Sequence, residues 1–174
     1  MKASELASGA KCNVIHWTVM KTSLGEMLVA ATERGIACLA FGEGEAELAT
    51  RFPHAHLVPA SEEFGALFDQ VLAAVERPGP AAAAIPLDVH GTVFQTRVWD
   101  ELRRIPLGET RSYGELAAML GSPGASRAVG GANRANRIAV LIPCHRVIAA
   151  DGSVGGYAYG EAIKRELLRR EREA

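Results

Sequence analysis

The segment 112–134, SYGELAAMLGSPGASRAVGGANR, decides how the second half of the chain folds. Ser112 is followed three residues later by Glu115, which is the spacing of a capping box at the start of a helix. Gly121 lies where that helix should end, because glycine readily adopts the left-handed conformation that follows many helices. Residues 122–123, Ser-Pro, then suit the cap and first turn of a second helix. Two short helices joined by a glycine-containing turn predict a helix-turn-helix.

The second helix of this pair, expected to run to about Ala132, has an unusual composition. Small residues occupy much of its surface, and Arg127 and Arg134 flank them. The adjacent Gly130 and Gly131 each cost helix stability by about 1 kcal/mol, so something must need the backbone to come close. Tight packing against another helix and insertion into a nucleic-acid groove both meet that need.

The first half of the chain has the patterns of a small sheet with covering helices. Three apolar or alternating segments predict strands: 13–20, 27–31 and 35–41. Two segments with helical spacing of apolar residues predict helices, the second capped by Ser61: 43–51 and 61–76. We expect a short strand at 87–89 to close against the sheet.

A segment rich in proline and glycine separates the two halves. Residues 77–86, RPGPAAAAIP, break helices and predict a linker. We therefore predict a small α/β N-terminal domain at 1–89, with a small β-sheet and covering helices. A mainly α C-terminal domain at 90–174 would contain a helix at 92–104 and the helix-turn-helix.

Composition and charge exclude several classes of protein. The chain has 174 residues, of which 48% are hydrophobic and 22% charged, as in ordinary globular proteins. It shows neither an apolar run that could span a bilayer nor the apolar core of a secretory signal, so we expect a cytoplasmic protein. Three cysteines without a CxxC or HExxH motif predict reduced thiols and no bound metal. The net charge of −1 conceals a basic second half rich in arginine.

The run 141–147, LIPCHRV, carries the chemistry of the chain. Cys144 precedes His145 and Arg146, and nearby positive charge stabilises the thiolate, which is the nucleophilic form. We therefore expect the Cys144 thiol to be more acidic than an ordinary cysteine. Cys12 and Cys38 lack such neighbours and are expected to be structural, because a lone cysteine usually behaves as a small buried hydrophobe.

The motif Pro143-Cys144-His145-Arg146-Val147 resembles the active-site signature of the O6-alkylguanine-DNA alkyltransferases. Further segments match the same family: Val93-Phe94-Gln95, Val98-Trp99, IPLGET at 105–110, Ser112-Tyr113, Leu116-Ala117, Arg127-Ala128-Val129-Gly130 and Asn136. The resemblance is close over 91–171 and looser before it, mainly through 24–25 and 33–36. Within the family, the chain is most similar to the C-terminal module of the bacterial adaptive-response protein.

The resemblance implies direct reversal of DNA damage. Cys144 would take the alkyl group from O6-alkylguanine, and also from O4-methylthymine, and would keep it, so the protein needs no cofactor and is consumed. His145 would pass the thiol proton onward, and Glu171 would hold and polarise the His145 side chain. Asn136 would fix the active-site turn, and Tyr113 would donate a hydrogen bond to the departing guanine.

The same resemblance implies the partner, which is double-stranded DNA bearing the lesion. The protein would act as a monomer in the minor groove, with the damaged nucleotide extruded because its O6 substituent is otherwise stacked inside the duplex. Arg127 would fill the gap. The implied DNA-binding residues are Tyr113, Ser126, Arg127, Ala128, Gly130, Gly131 and Arg134. The implied pocket residues are Asn133, Val147, Tyr157, Ala158 and Tyr159.

The chain departs from relatives around the pocket and at the N-terminal metal site. Asn133 replaces a less polar residue, and Tyr159 and Ala139 stand where relatives that accept a benzyl group have glycine and proline. These changes predict a pocket that favours methyl over bulky groups. Thr32 and Ala37 stand where some relatives have zinc ligands, so no metal is expected.

Three alternatives remain beside the alkyltransferase. A Cys-His hydrolase would share the nucleophile but needs an oxyanion-hole loop and a histidine distant in sequence. A lesion sensor without activity would have replaced Cys144. A plain helix-turn-helix regulator would leave the motif at 143–147 unexplained.

Overall fold

The computed structural model describes residues 14–174, so Cys12 and Asn13 lie outside the described residues. The first half forms a four-stranded sheet in the spatial order β3-β2-β1-β4, antiparallel except that β4 runs parallel to β1. Its strands are β1 (Val14–Thr22), β2 (Gly25–Thr32), β3 (Gly35–Phe41) and β4 (His56–Pro59). Two helices accompany the sheet: α1 (Glu45–Arg51) and α2 (Gly65–Glu76). The predicted α/β domain with covering helices is confirmed.

The sheet is buried on both faces because alternate residues of β2 enter different clusters. Met27 and Val29 join the main core with residues of α2, whereas Leu28 packs on the other face against Leu48 of α1. Cys38 lies in this second cluster and is fully buried, as expected for a structural cysteine. A strand covered on both faces presents a continuous apolar run, which explains the sequence of β2.

The outer edge of β3 is occupied by the end of the linker. Ile36 donates its backbone N–H to Pro86, and Asp88 donates to Ile36, so the expected strand at 87–89 is present as one isolated bridge at Leu87. Gly35 permits this approach, because a Cβ at that position would lie 2.4 Å from the Pro86 oxygen. Part of the linker is itself ordered as a 3₁₀ helix, Pro80–Ala84.

The second half is mainly helical, as predicted. Its helices are α3 (Val93–Arg104), α4 (Tyr113–Met119), α5 (Ser126–Arg134) and α6 (Glu161–Glu173). A 3₁₀ turn at Cys144–Arg146 leads into the short strand β6 (Val147–Ile148), which pairs in parallel with β5 (Arg111–Ser112). The Trp99 indole N–H of α3 donates to the Ala132 carbonyl, which fixes α5 beside α3.

Several sequence-based boundaries were wrong. The helix α5 begins at Ser126 and not at residues 122–123, because Ala125 donates back to Ser122 and closes a turn that contains Gly124. Ser112 accepts from the Glu115 backbone N–H, but the reciprocal bond of a capping box does not form. Ser61 makes no capping bond and precedes a 3₁₀ turn. Strand β4 was not predicted.

The two halves share a hydrophobic core and are joined by two backbone hydrogen bonds. Leu39 of β3 donates to the Arg137 carbonyl at 2.9 Å, and Ala139 donates to the Leu39 carbonyl at 3.1 Å. The segment that leads to Cys144 is therefore held against the edge of the N-terminal sheet. Within residues 14–174, no helix is both long enough and apolar enough to cross a membrane.

Candidate active site

The turn that carries Cys144 is held by the side chain of Asn136. The Asn136 amide nitrogen donates to the Ile142 carbonyl at 2.8 Å, while its oxygen accepts from the Ile138 N–H at 3.0 Å. Cys144 itself donates its backbone N–H to Ile142. Because Asn136 is buried and bonded to both ends of the segment, it fixes the path of the chain into the reactive turn.

The backbone is strained just before this turn, at Val140. Its φ of +68° is rare for a β-branched residue. Leu141 donates to the Ala139 carbonyl at 2.7 Å, which closes a three-residue turn around Val140. Such strain persists only where the surroundings impose it, and here the bonds to Leu39 and Asn136 fix both flanks.

Cys144 is buried, with 7% of its surface exposed, and borders a cleft of about 940 Å³. The structure brings these predicted site residues to the cleft: Tyr113, Ser126, Arg127, Gly130, Asn133, Arg134, Asn136, Cys144, Tyr157, Ala158 and Tyr159. Five other predicted residues do not line it: Ala128, Gly131, His145, Val147 and Glu171. The Cys144 thiol thus borders a space that is also lined by the second helix of the helix-turn-helix.

The side chains of His145 and Arg146 are directed to the carboxylate of Glu171 on α6. His145 Nε2 lies 3.0 Å from Glu171 Oε2, and His145 is fully buried. Arg146 donates to both carboxylate oxygens at 2.8 and 2.9 Å, and a third bond reaches the Ile105 carbonyl. Burial by itself would raise the pKa of Glu171, but the hydrogen bonds from His145 and Arg146 outweigh it and lower that pKa to about 2.

This arrangement defines the protonation of His145. Burial lowers the pKa of His145 even though Glu171 opposes the shift, so the ring is neutral. A carboxylate only accepts, so Nε2 carries the proton and Nδ1 is left as an acceptor. No group of the described residues bonds to Nδ1, which is buried. His145 therefore has one free basic nitrogen.

The expectation of an unusually acidic Cys144 was wrong. Burial raises the pKa of Cys144, and the Asn136 amide, the Lys164 ammonium and the Tyr157 hydroxyl oppose this increase only in part. Its sequence neighbours do not lower it, because their side chains turn away to Glu171. The cation that acts on the thiol comes from α6.

Lys164 is a site residue that the sequence analysis missed. It is fully buried, and its ammonium donates to the carbonyls of Val147 at 2.6 Å and Gly156 at 3.1 Å. The spacing of Lys164 along the helix was the signal that could have identified it as buried. Lys164 lies seven residues before Glu171, with Leu167 and Leu168 between them, so one helical face holds all four.

The surroundings of α5 exclude tight packing against another helix as the reason for Gly131. A Cβ at Gly131 would meet nothing within 4 Å, so this glycine is not required for packing against another helix. Gly130 is buried, and a Cβ there would lie 3.9 Å from the Tyr113 ring. Arg127, Gly131 and Arg134 therefore follow one accessible, flat face of the helix.

The pocket loop, residues 154–160, connects the cleft to the N-terminal sheet. Tyr159 makes edge contacts with Phe41 at 5.7 Å and with Tyr157 at 5.4 Å between ring centroids. Its ring is therefore held beside the cleft. Ala139, the other departure beside the pocket, is fully buried and is not among the residues that line the cleft.

Asn133 places a polar group at the base of the cleft. Its amide nitrogen donates to the Cys144 carbonyl at 3.4 Å, and its buried oxygen has no partner in the described part of the chain.

The position where some relatives have a zinc ligand is occupied here by Thr32, whose hydroxyl donates to Asp88 at 2.6 Å. Across residues 14–174, no group of three or more His, Cys, Asp or Glu side chains could hold a metal ion.

Comparison with known proteins identifies relatives for both halves. The family model of the 6-O-methylguanine DNA methyltransferase ribonuclease-like domain matches residues 15–89. The family model of the 6-O-methylguanine DNA methyltransferase DNA-binding domain matches residues 93–173. The methylated-DNA--protein-cysteine methyltransferase of Methanosarcina acetivorans is 39% identical over 157 residues, which cover 90% of this chain and 98% of that protein.

Other relatives are longer or are known in three dimensions. The bifunctional transcriptional activator/DNA repair enzyme Ada of Escherichia coli is 42% identical over 99% of this chain, which spans only 50% of Ada. The crystal structure of Mycobacterium tuberculosis OGT in complex with DNA superposes with a TM-score of 0.74 at 39% identity, covering 91% of this chain and 93% of that one.

The substitution Glu171→Gln should destabilise the protein in a pH-dependent way. At neutral pH, we expect the free energy of unfolding in urea to fall by about 3 kcal/mol, because the variant leaves buried donors without their charged acceptor. The folded-state pKa of about 2 lies below the usual 4.5. The stabilisation by Glu171 is therefore present above pH 4.5 and is lost as the pH falls toward 2.

The matched control for this experiment is Glu173→Gln on the same helix. Glu173 is exposed and pairs only with Arg169 at the surface, so its loss should leave stability nearly unchanged. An equal loss in both variants, or a Glu171→Gln defect that stays constant with falling pH, would contradict the assignment of a buried, charged Glu171.

Proposed function

Because the chain belongs to the 6-O-methylguanine DNA methyltransferase family, we propose that it repairs DNA by moving an alkyl group from guanine O6 to the sulfur of Cys144. The observation that carries this proposal is the buried Cys144 thiol at a cleft bordered by α5, with the His145–Glu171 pair beside it. The sulfur–carbon bond of the product is stable, so each molecule reacts once and needs no cofactor.

The proposed reaction is a displacement at the alkyl carbon. The Cys144 thiolate attacks this carbon, the sulfur–carbon bond forms, and the carbon–oxygen bond breaks with its electron pair going to guanine O6. The free Nδ1 of His145 accepts the thiol proton through a water molecule, and guanine takes up one proton as it leaves. Glu171 stabilises the imidazolium that exists between these two steps, as a buried carboxylate does beside other catalytic histidines.

The proposed partner is double-stranded DNA, which the monomer would contact with α5 in the minor groove. The solved relative from M. tuberculosis is in complex with DNA. The groove is about 6 Å wide, and a helix face with Gly131 between Arg127 and Arg134 is flat enough to approach it. The damaged nucleotide would be extruded into the cleft, where Tyr113 would donate to the guanine ring and ease the departure of negative charge.

The acceptor is tested by intact-mass analysis after the protein is mixed with duplex DNA that contains O6-methylguanine. One methyl group per chain should appear, mapped to the peptide with Cys144, because among the cysteines of residues 14–174 this thiol alone borders the cleft. Cys144→Ser should gain none. The matched control Cys38→Ser should react normally, since Cys38 is buried in the sheet. Repeated turnover, or methylation that persists without Cys144, would refute the proposal.

Arg127 should matter for duplex DNA more than for single strands. We expect Arg127→Ala to slow methyl transfer from duplex DNA by about tenfold or more, because an unfilled gap makes extrusion costlier. A single-stranded substrate has no gap to fill and should react at nearly the normal rate. Arg134→Ala is the control, and a phosphate contact there predicts similar losses on both substrates. Equal losses in Arg127→Ala would assign this arginine to the fold or to general DNA affinity.

Tyr159 should restrict the size of the alkyl group. We expect free O6-benzylguanine to inactivate the protein poorly and Tyr159→Gly to increase inactivation several-fold, since the ring is held at the cleft by Phe41 and Tyr157. Tyr159→Phe keeps the ring and should behave as the parent. A proline at position 139 is unsuitable for this test because the Ala139 N–H bonds to Leu39. Rapid benzyl transfer to the unmodified protein would show that Tyr159 does not guard the pocket.

A further inference from the structure

Lys164 is a buried cation that the proposed reaction does not use. Its side chain is fully buried in the middle of α6, where a charge without a partner is costly. Among residues 14–174, no carboxylate lies within ion-pair distance of its ammonium, and its two acceptors are neutral carbonyls. Within these residues, neither Asp nor Glu therefore supplies a counter-charge to Lys164.

The two carbonyls that accept from Lys164 belong to two segments next to Cys144: the end of the reactive turn and the lining of the cleft. Val147 follows the 3₁₀ turn that begins with Cys144, and Gly156 directly precedes Tyr157 of the cleft wall. One ammonium thus ties the reactive turn to the pocket loop. An ammonium has three N–H donors, and the third has no acceptor in the part of the chain that the structure describes.

The other charges near the thiol are already balanced or absent. Arg146 and Glu171 form a bidentate pair, and His145, bonded to the same carboxylate, is neutral. The remaining titratable groups that act on Cys144 are the neutral phenols of Tyr157 and Tyr159 on the pocket loop. Lys164 of α6 is therefore the unbalanced positive charge that acts on the thiol from the elements packed around it.

The mutual effects of the two groups agree with this geometry. Burial raises the pKa of Cys144, and the charge of Lys164 is among the influences that lower it. Burial also lowers the pKa of Lys164, and the charge of a Cys144 thiolate is what opposes that decrease. Each group therefore favours the charged form of the other.

We propose that Lys164 is the counter-cation of the Cys144 thiolate and a positioning residue that holds the pocket loop against the reactive turn. This inference rests on the proposed function, since it explains how a buried thiol becomes nucleophilic. Lys164 forms no bond to the alkyl group and keeps its proton, while the thiol proton goes through water to His145, as in the proposed reaction. Its role is to lower the free energy of the anion that attacks.

The test measures alkylation of Cys144 by iodoacetamide as a function of pH, with the modified peptide quantified by mass spectrometry. Lys164→Met replaces the ammonium by an apolar chain of similar length. We expect the midpoint of the pH profile to rise by about one unit or more, so that the rate at neutral pH falls about tenfold. The rates should converge at high pH, where the thiol ionises without help.

Two further variants separate charge from structure. Lys164→Gln keeps amide N–H donors for the loop carbonyls but has no charge, so it should show the same upward shift. Lys21→Met removes an exposed lysine from β1 and should leave the profile unchanged. A rate that falls equally at every pH in both Lys164 variants would reduce Lys164 to a structural clamp and overturn the proposal, as would an unchanged profile.

The wild-type protein provides a measurement that leaves Lys164 in place, so it does not depend on the folding of a Lys164 variant. The ¹³Cε resonance of Lys164 should shift as Cys144 ionises, and this shift should disappear in Cys144→Ser. A resonance that does not follow the thiol would also overturn the proposal. Neither experiment uses DNA, so a shifted pH profile without methyl transfer from DNA would refute the proposed function and leave the role of Lys164 intact.

Discussion

The pairing of the buried Glu171 carboxylate with His145 and Arg146 is the interaction on which the site depends. A carboxylate in this position remains charged only if donors surround it, and His145 and Arg146 provide three hydrogen bonds. These bonds fix α6 against the reactive turn. They also set the tautomer of His145 and place Lys164, two helical turns earlier, next to the carbonyls of Val147 and Gly156. One ionised group therefore determines the protonation of His145 and the position of the cation on α6.

The N-terminal sheet contributes to the site through its edge. Leu39 bonds to the backbone on both sides of Ile138, and Asn136 bonds to both ends of the same segment. Val140 is held between these contacts in a conformation that an isolated chain would avoid. Cys144 thus follows a segment whose shape depends on both halves, and the two halves pack together in one hydrophobic cluster.

The sequence by itself determined the outline of the protein. Hydrophobic periodicity is a local property, and the helices that it predicts are present. The structure adds that Thr92 caps α3 and forms a capping box with Gln95. The motif at 143–147 and the matches around it were sufficient to recognise the family. The predicted start of α5 was wrong by only a few residues. The error arose because serine and proline favour a turn as well as the start of a helix.

Only the tertiary structure decided how charge is distributed around the thiol. Adjacency in the chain suggested that His145 and Arg146 would make Cys144 acidic, yet both side chains bond to Glu171, which is distant in sequence. Lys164 had no motif to mark it and gained its position from the burial of one face of α6. Burial and electrostatic energy depend on distances between atoms in the folded chain. Residue order fixes which charges exist, whereas packing fixes which of them the sulfur experiences.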